Sequence, residues 1–155
     1  MTYKTILKGF SGSFLFGLIA ALVWFLFSFF GTVGYWSAPV FALLIPFGFK
    51  LFSKERPITV PSFVVMGASL IITILIGAYS GNIINIYAML LNYGYSLDAI
   101  SFSDASRYFF DMFRDNPNNF RIDVLLEIGI GLVLSAGIGY FVVRKYVKGG
   151  RSDER

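Results

Sequence analysis

Glu127 is the residue whose type and position most suggest chemistry, because its carboxylate stands inside an otherwise apolar stretch. If that stretch is a helix from about Phe120, Glu127 lies about six residues, or roughly 9 Å, along its axis. A carboxylate in apolar surroundings is costly to ionise, so we expect it to face other helices and polar partners. Asn82 and Asn85 stand toward the corresponding end of another apolar stretch. The sequence therefore predicts a polar cluster of Glu127, Asn82 and Asn85.

Three interpretations of Glu127 are open. In the first, it is a hydrogen-bonded tether between helices. In the second, it handles a proton or another cation, because ionisable side chains inside membrane segments often mark the path of an ion. In the third, it lies close enough to the surface to stay hydrated.

Other chemistry is largely excluded by composition, because the chain has no cysteine and no histidine. Disulfides, thiol catalysis, Ser-His catalysis and zinc sites built on these residues are therefore impossible. No phosphate-binding glycine motif occurs. The acidic residues Asp104, Asp111 and Asp115 alternate with Arg107 and Arg114, so we interpret them as the solvated face of a helix. We expect no metal, no cofactor and no enzymatic activity.

The composition indicates a membrane protein. Hydrophobic residues make up 56% of the 155 residues and charged residues only 14%, whereas a soluble domain carries about 25% charged residues. The formal net charge is +4, but the basic residues flank apolar runs and form no basic face with interleaved aromatics, so we expect no nucleic-acid partner. Residues 1–155 are predicted to form one transmembrane domain with the lipid bilayer as its partner.

Four apolar runs predict an all-α integral membrane protein with four transmembrane helices. The first holds about 22 residues, which span roughly 33 Å as a helix and exceed the apolar core of a signal peptide. The third holds about 30 residues, so the helix either tilts or breaks near residues 77–82; we favour a continuous helix. The predicted helices cover residues 9–30, 36–52, 62–91 and 120–143.

A fifth, amphipathic helix is predicted at about residues 104–114, in the loop between the third and fourth spans. Ser103 is its predicted N-cap, and the sequence after Asp115 is typical of a helix end. We expect this helix to lie on the bilayer surface or to cap the bundle. Its apolar stripe consists of Ala105, Tyr108, Phe109, Met112 and Phe113.

The distribution of lysine and arginine predicts the orientation. Ten of the 13 basic residues lie before the first run, near the end of the second run, between the second and third runs, or in the tail 144–155. The three others, in the predicted outer segments, stand among aspartates. Because basic residues concentrate on the cytoplasmic side, both termini are predicted to be cytoplasmic, in a multi-pass protein of the cell membrane.

Small residues recur at every fourth position in three of the predicted helices. Such stripes let helices approach closely, either within one chain or against a second copy or another membrane protein. The stripes are Gly9, Ser13, Gly17 and Ala21 in the first helix, Thr73, Gly77 and Gly81 in the third, and Gly131, Ser135 and Gly139 in the fourth.

The expected function is that of a non-enzymatic accessory, assembly or protective protein that acts through helix–helix contacts. The alternative is a small oligomeric transporter or channel in which Glu127 handles a proton or another cation. Four helices enclose little aqueous volume, so such a pore would need several copies of the chain.

Overall fold

A computed structural model describes residues 2–54 and 59–149, except for the side chains of Leu97 and residues 145–149. Arg56 and the end of the predicted basic tail therefore lie outside the described residues. The described residues are helical and contain no strand. The α-helices are α1 (Tyr3–Phe29), α2 (Ala38–Ser53), α3 (Val60–Asn92), α4 (Phe102–Asp115) and α5 (Phe120–Gly149), and short 3-10 turns cover Gly34–Ser37, Leu97–Ala99 and Pro117–Asn119.

Four of these helical segments are long and apolar enough to cross a membrane. They are Tyr3–Phe29, Gly34–Ser53, Val60–Asn92 and Pro117–Arg144. α1, α3 and α5 are longer than the predicted apolar runs because polar first and last turns are helical as well, whereas α2 begins two residues after its predicted start because Gly34–Ser37 form a 3-10 turn. Thus α1 begins at Tyr3 rather than near Gly9. Thr2 is its N-cap, and the Thr2 hydroxyl accepts a hydrogen bond from Thr5 N at 3.4 Å. Likewise, α5 continues to Gly149, into the predicted tail.

The third apolar run forms one continuous helix. α3 covers 33 residues and begins with a reciprocal capping box between Thr59 and Ser62. Its glycine-containing stretch stays helical, and polar side chains there bond back to backbone carbonyls one turn earlier: Ser80 Oγ donates to Gly77 O at 3.0 Å and Asn82 Nδ2 to Ala78 O at 2.9 Å. The break near residues 77–82 is thus absent.

The helices form a bundle in which α1 is central. α1 packs most extensively against α2 and α3, while α5 packs against α2 and α3 over a smaller surface. Only 17% of the apolar window in the fourth candidate span is buried, against 33–44% in the other three. Because α1, α2, α3 and α5 alternate in direction, the bundle has two unlike ends. We call the end formed by residues 30–37 and 93–119 the capped end, and the end that carries Lys4, Lys8, Lys50, Lys54 and Arg144 the basic end.

α4 caps the bundle. Ala105 and Phe109 are buried in an apolar cluster with residues of α3 and α5, and Met112 and Phe113 pack partly buried against it. Tyr108, the remaining large member of the predicted stripe, is 41% exposed. The predicted start of this helix near residue 104 was wrong by two residues, since Ser101, and not Ser103, is the N-cap. The Ser101 hydroxyl accepts from Asp104 N at 3.1 Å, and the Asp104 carboxylate accepts from Ser101 N at 3.3 Å.

Candidate functional site: a polar cleft and a buried tryptophan

A polar cleft of about 400 Å³ opens at the capped end of the bundle. It lies where the end of α1, the following turn, the second half of α3 and the first turns of α5 meet. The three residues of the predicted polar cluster all line it. Its polar lining residues are Ser28, Thr32, Asn82, Asn85, Asp123 and Glu127, and its aromatic ones are Tyr35 and Phe120.

Glu127 is half-buried and is tied to the turn between α1 and α2. The backbone N–H of Gly34 donates a hydrogen bond to Glu127 Oε1 at 2.9 Å, across 93 residues of sequence. A backbone N–H can only donate, so the Glu127 oxygen is the acceptor in this bond. The contact holds the α1–α2 turn against α5 and fixes the carboxylate at the wall of the cleft.

Two further donors face the same carboxylate. The side chains of Asn82 and Trp24 approach Glu127, although neither forms a hydrogen bond of standard geometry with it. Asn82 Nδ2 donates to Ala78 O at 2.9 Å. Trp24 Nε1 is a buried nitrogen without a hydrogen-bond partner among the described residues. Donors therefore surround one side of Glu127, which suits a carboxylate that accepts hydrogen bonds.

Asp123 supplies a second carboxylate to the cleft. It stands four residues before Glu127 on α5, one helical turn away, and its side chain is exposed. Arg121, which is close in sequence, does not line the cleft. The part of the chain that the structure describes holds no group of three or more carboxylates arranged for a metal ion. The cleft therefore holds one anchored carboxylate, that of Glu127, and one exposed carboxylate, that of Asp123.

Trp24 is the residue of this region that sequence reasoning missed. Its side chain is fully buried at 0% exposure, and glycines from three segments surround it. A Cβ on Gly131 would lie 2.7 Å from the Trp24 ring, one on Gly77 would lie 3.2 Å from it, and one on Gly34 would overlap the indole. The glycines thus form a socket for the ring. The α1 stripe was a possible signal, because a 3.6-residue period carries the buried face from Ala21 on to Trp24 and Ser28.

The predicted stripes of α1 and α3 lie inside the bundle. Gly9 faces Phe49 of α2, Gly17 faces Thr73 of α3, and Gly81 faces Ser28 of α1. Ser13 and Ala21 are also buried. A close backbone approach joins two glycines outside the predicted set, since a Cβ on Gly12 would overlap the carbonyl of Gly48 and the reverse is also true.

The stripe of α5 is close-packed at one end only. Gly131 contacts Trp24, and Ser135 Oγ donates to Ala38 O of α2 at 3.2 Å. At Gly139 a Cβ would find its nearest atom, Ala42 O, at 3.8 Å, which is ordinary van der Waals separation. The packing of α5 therefore loosens toward the basic end.

Comparison of the chain with protein-family models, with curated proteins and with solved structures finds no match. The fold and the site define the class instead: an all-helical chain with four helices of membrane-spanning length and composition, and a polar cleft at its capped end.

Proposed function

We propose that the protein is a multi-pass protein of the cell membrane, with both termini in the cytoplasm and the capped end outside. The four long apolar helices support insertion. The cluster of lysine and arginine at the basic end supports the orientation, because basic residues concentrate on the cytoplasmic side. The polar face of α4, with Arg114 paired to Asp111 and Asp115, suits an exposed position outside the bilayer.

We further propose that the protein binds a cation from the outer side at Glu127, without catalysing a reaction. The observation that carries this proposal is the carboxylate of Glu127, half-buried and held by the Gly34 N–H on the wall of the cleft. Asp123 adds a second negative charge one helical turn nearer the surface. Two carboxylates in a cleft with low-dielectric walls attract cations from solution. A proton and a hydrated metal ion are both candidates.

Transport of the cation across the membrane would require several copies of the chain. One bundle of four helices offers little aqueous volume, and α1 fills its centre with buried side chains. An oligomer could enclose a path that begins at the cleft of each copy. The expected partners are therefore the bilayer and a second copy of the chain, with no nucleic acid and no cofactor.

The test is cation flux into liposomes that contain the full chain, native against Glu127→Gln. The glutamine retains an oxygen that can accept from Gly34 N–H but lacks the charge. We expect native protein to carry protons or sodium ions and Glu127→Gln to fall to the background of protein-free liposomes. Asp123→Asn, the matched variant one turn away, should reduce flux less because Asp123 is exposed. Equal flux in native protein and Glu127→Gln would contradict the proposal.

An accessory or assembly role through helix–helix contacts is the second candidate. It is favoured by Gly129 and Gly137 of α5, since a Cβ at either position would meet no atom within 4 Å. These glycines give α5 a surface that a helix of another membrane protein could approach closely. The same liposome experiment separates the candidates, because native protein that carries neither protons nor sodium ions favours the accessory role.

A further inference from the structure

A second cleft, of about 290 Å³, lies between α2, α3 and α5 toward the basic end of the bundle. Its volume is at the lower limit for small-molecule sites, about 300–1,000 Å³, so it suits part of a flexible chain. Residues of all three helices line it, among them Ala42, Pro46, Phe63, Gly67, Gly139 and Tyr140. We call it the apolar cleft.

The apolar cleft exists because the space between α3 and α5 is filled at the capped end but not toward the basic end. At the capped end, Gly77 of α3 and Gly131 of α5 both contact the ring of Trp24, which occupies the space between the helices. Toward the basic end, a Cβ on Gly67 would meet no atom within 4 Å. No described side chain takes the place there that Trp24 takes at the other end, which leaves an apolar space open beside α5.

The lining of the apolar cleft suits a hydrocarbon occupant. Its residues are almost all aliphatic or aromatic, and the hydroxyl of Ser135, one of the few polar groups, already donates to Ala38 O. A polar ligand would find few partners there and would lose its hydrogen bonds to water. An aliphatic chain would gain dispersion contacts with three helices at no such cost.

Positive charge stands next to the apolar cleft. Arg144 follows Tyr140 by one helical turn on the same face of α5, and its side chain is exposed. On α2, Lys50 follows the lining residue Pro46 by one turn. A negatively charged headgroup is therefore complementary to this end, and a zwitterionic headgroup is less so.

We propose that the apolar cleft binds an acyl chain of an anionic phospholipid, whose headgroup lies against Arg144. The proposal rests on the membrane placement proposed above, with the basic end in the cytoplasmic leaflet. It does not depend on cation binding at Glu127, which lies at the other end of α5.

Lipid retention by the full chain tests this proposal. Protein in a mild detergent is mixed with phosphatidylglycerol or with phosphatidylcholine of the same acyl chains, and bound lipid is counted by native mass spectrometry. We expect native protein to retain one phosphatidylglycerol and little phosphatidylcholine. Gly67→Leu and Gly139→Leu, which place a side chain in the apolar cleft, should lose phosphatidylglycerol, whereas Gly137→Leu should retain it because Gly137 is exposed with no atom near its Cβ position.

A variant of Arg144 tests the contribution of the lipid headgroup separately from that of the acyl chain. Arg144→Gln should lower phosphatidylglycerol retention to the level of phosphatidylcholine, with the thermal unfolding temperature unchanged. Three results would overturn the proposal: equal retention of the two lipids by native protein, native retention in both cleft-filling variants, or a dimer that forms without lipid and that Gly139→Leu dissociates. The third would assign the apolar cleft to a second copy of the chain. None of them bears on cation flux, and loss of flux in Glu127→Gln would leave lipid retention unchanged.

Discussion

Trp24 contacts three other segments of the molecule. Its ring is enclosed by the glycines of the α1–α2 turn, of α3 and of α5, and its side chain approaches Glu127, whose carboxylate binds the turn. The same residue thus fills the space between helices at the capped end and lies close to Glu127. We expect changes in the socket to disturb both packing and the cleft.

The glycine socket makes a prediction for alanine substitutions in α5. Gly131→Ala would place a Cβ 2.7 Å from the Trp24 ring, and overpacking of this kind costs typically about 1–3 kcal/mol. Gly137→Ala, in the same helix, would meet no atom within 4 Å and should leave the free energy of unfolding unchanged or raise it by up to about 1 kcal/mol, because alanine favours a helix more than glycine does. Thermal unfolding in detergent, followed by circular dichroism, measures both. Equal melting temperatures for the two variants would show that Gly131 is not part of a tight socket.

The polar residues of the site were easier to predict than its apolar ones. Glu127, Asn82 and Asn85 stand out because polar side chains are rare inside apolar stretches, and the structure places all three around one cleft. Trp24 stands out less, since it is an apolar residue in an apolar helix, and only the helical period that continues the α1 stripe from Ala21 indicates that it faces the bundle. The donor to Glu127 is the backbone N–H of Gly34, and the pattern of side chains in a sequence does not predict such a contact.

At the scale of single elements, the start of α4 is marked by two nearby serines that could both be its N-cap. Ser101 and Ser103 are both acceptable N-caps by residue type. Asp104 decides between them, because it stands three residues after Ser101 and can return a hydrogen bond to the Ser101 backbone. The apolar stripe alone left the first turn undetermined, since Phe102 is 63% exposed and belongs to no buried face.

The cap of α4 should respond to pH. Hydrogen bonds from the Ser101 hydroxyl and backbone, with a smaller contribution from the charge of Arg107, lower the pKa of Asp104. The ionised form therefore stabilises the folded helix above the ordinary aspartate pKa of about 3.9, and this contribution is lost as the pH falls through the lower pKa of the folded state.

Hydrogen exchange in the first turn of α4, corrected for intrinsic rates, measures this effect. We expect protection to decrease between about pH 5 and about pH 2. In Asp104→Asn the pH dependence should disappear, because the titrating group is gone while the helix remains. A native protein whose first turn exchanges equally across this range would contradict the role assigned to Asp104.

At the scale of the whole molecule, hydropathy predicted how many long apolar helices there are but not how they pack. The number of candidate spans follows from runs of apolar residues, which a one-dimensional profile records. The central position of α1 and the looser packing around Gly67 and Gly139 depend on which small residues meet, and two decisive contacts were not predicted: Gly12 with Gly48, and Trp24 with its glycines. Both clefts follow from that packing.

Insertion and orientation are the central claim, and a chain without cysteine allows a direct measurement. Single cysteines at exposed positions of the capped end, Val33→Cys and Asp98→Cys, and of the basic end, Thr2→Cys and Lys54→Cys, are treated in intact cells with a membrane-impermeant maleimide. We predict labelling of Val33→Cys and Asp98→Cys from outside, and labelling of Thr2→Cys and Lys54→Cys only after the membrane is permeabilised. Labelling of Thr2→Cys or Lys54→Cys in intact cells, with Val33→Cys and Asp98→Cys protected, would contradict the proposed membrane orientation and the outward-facing cation site.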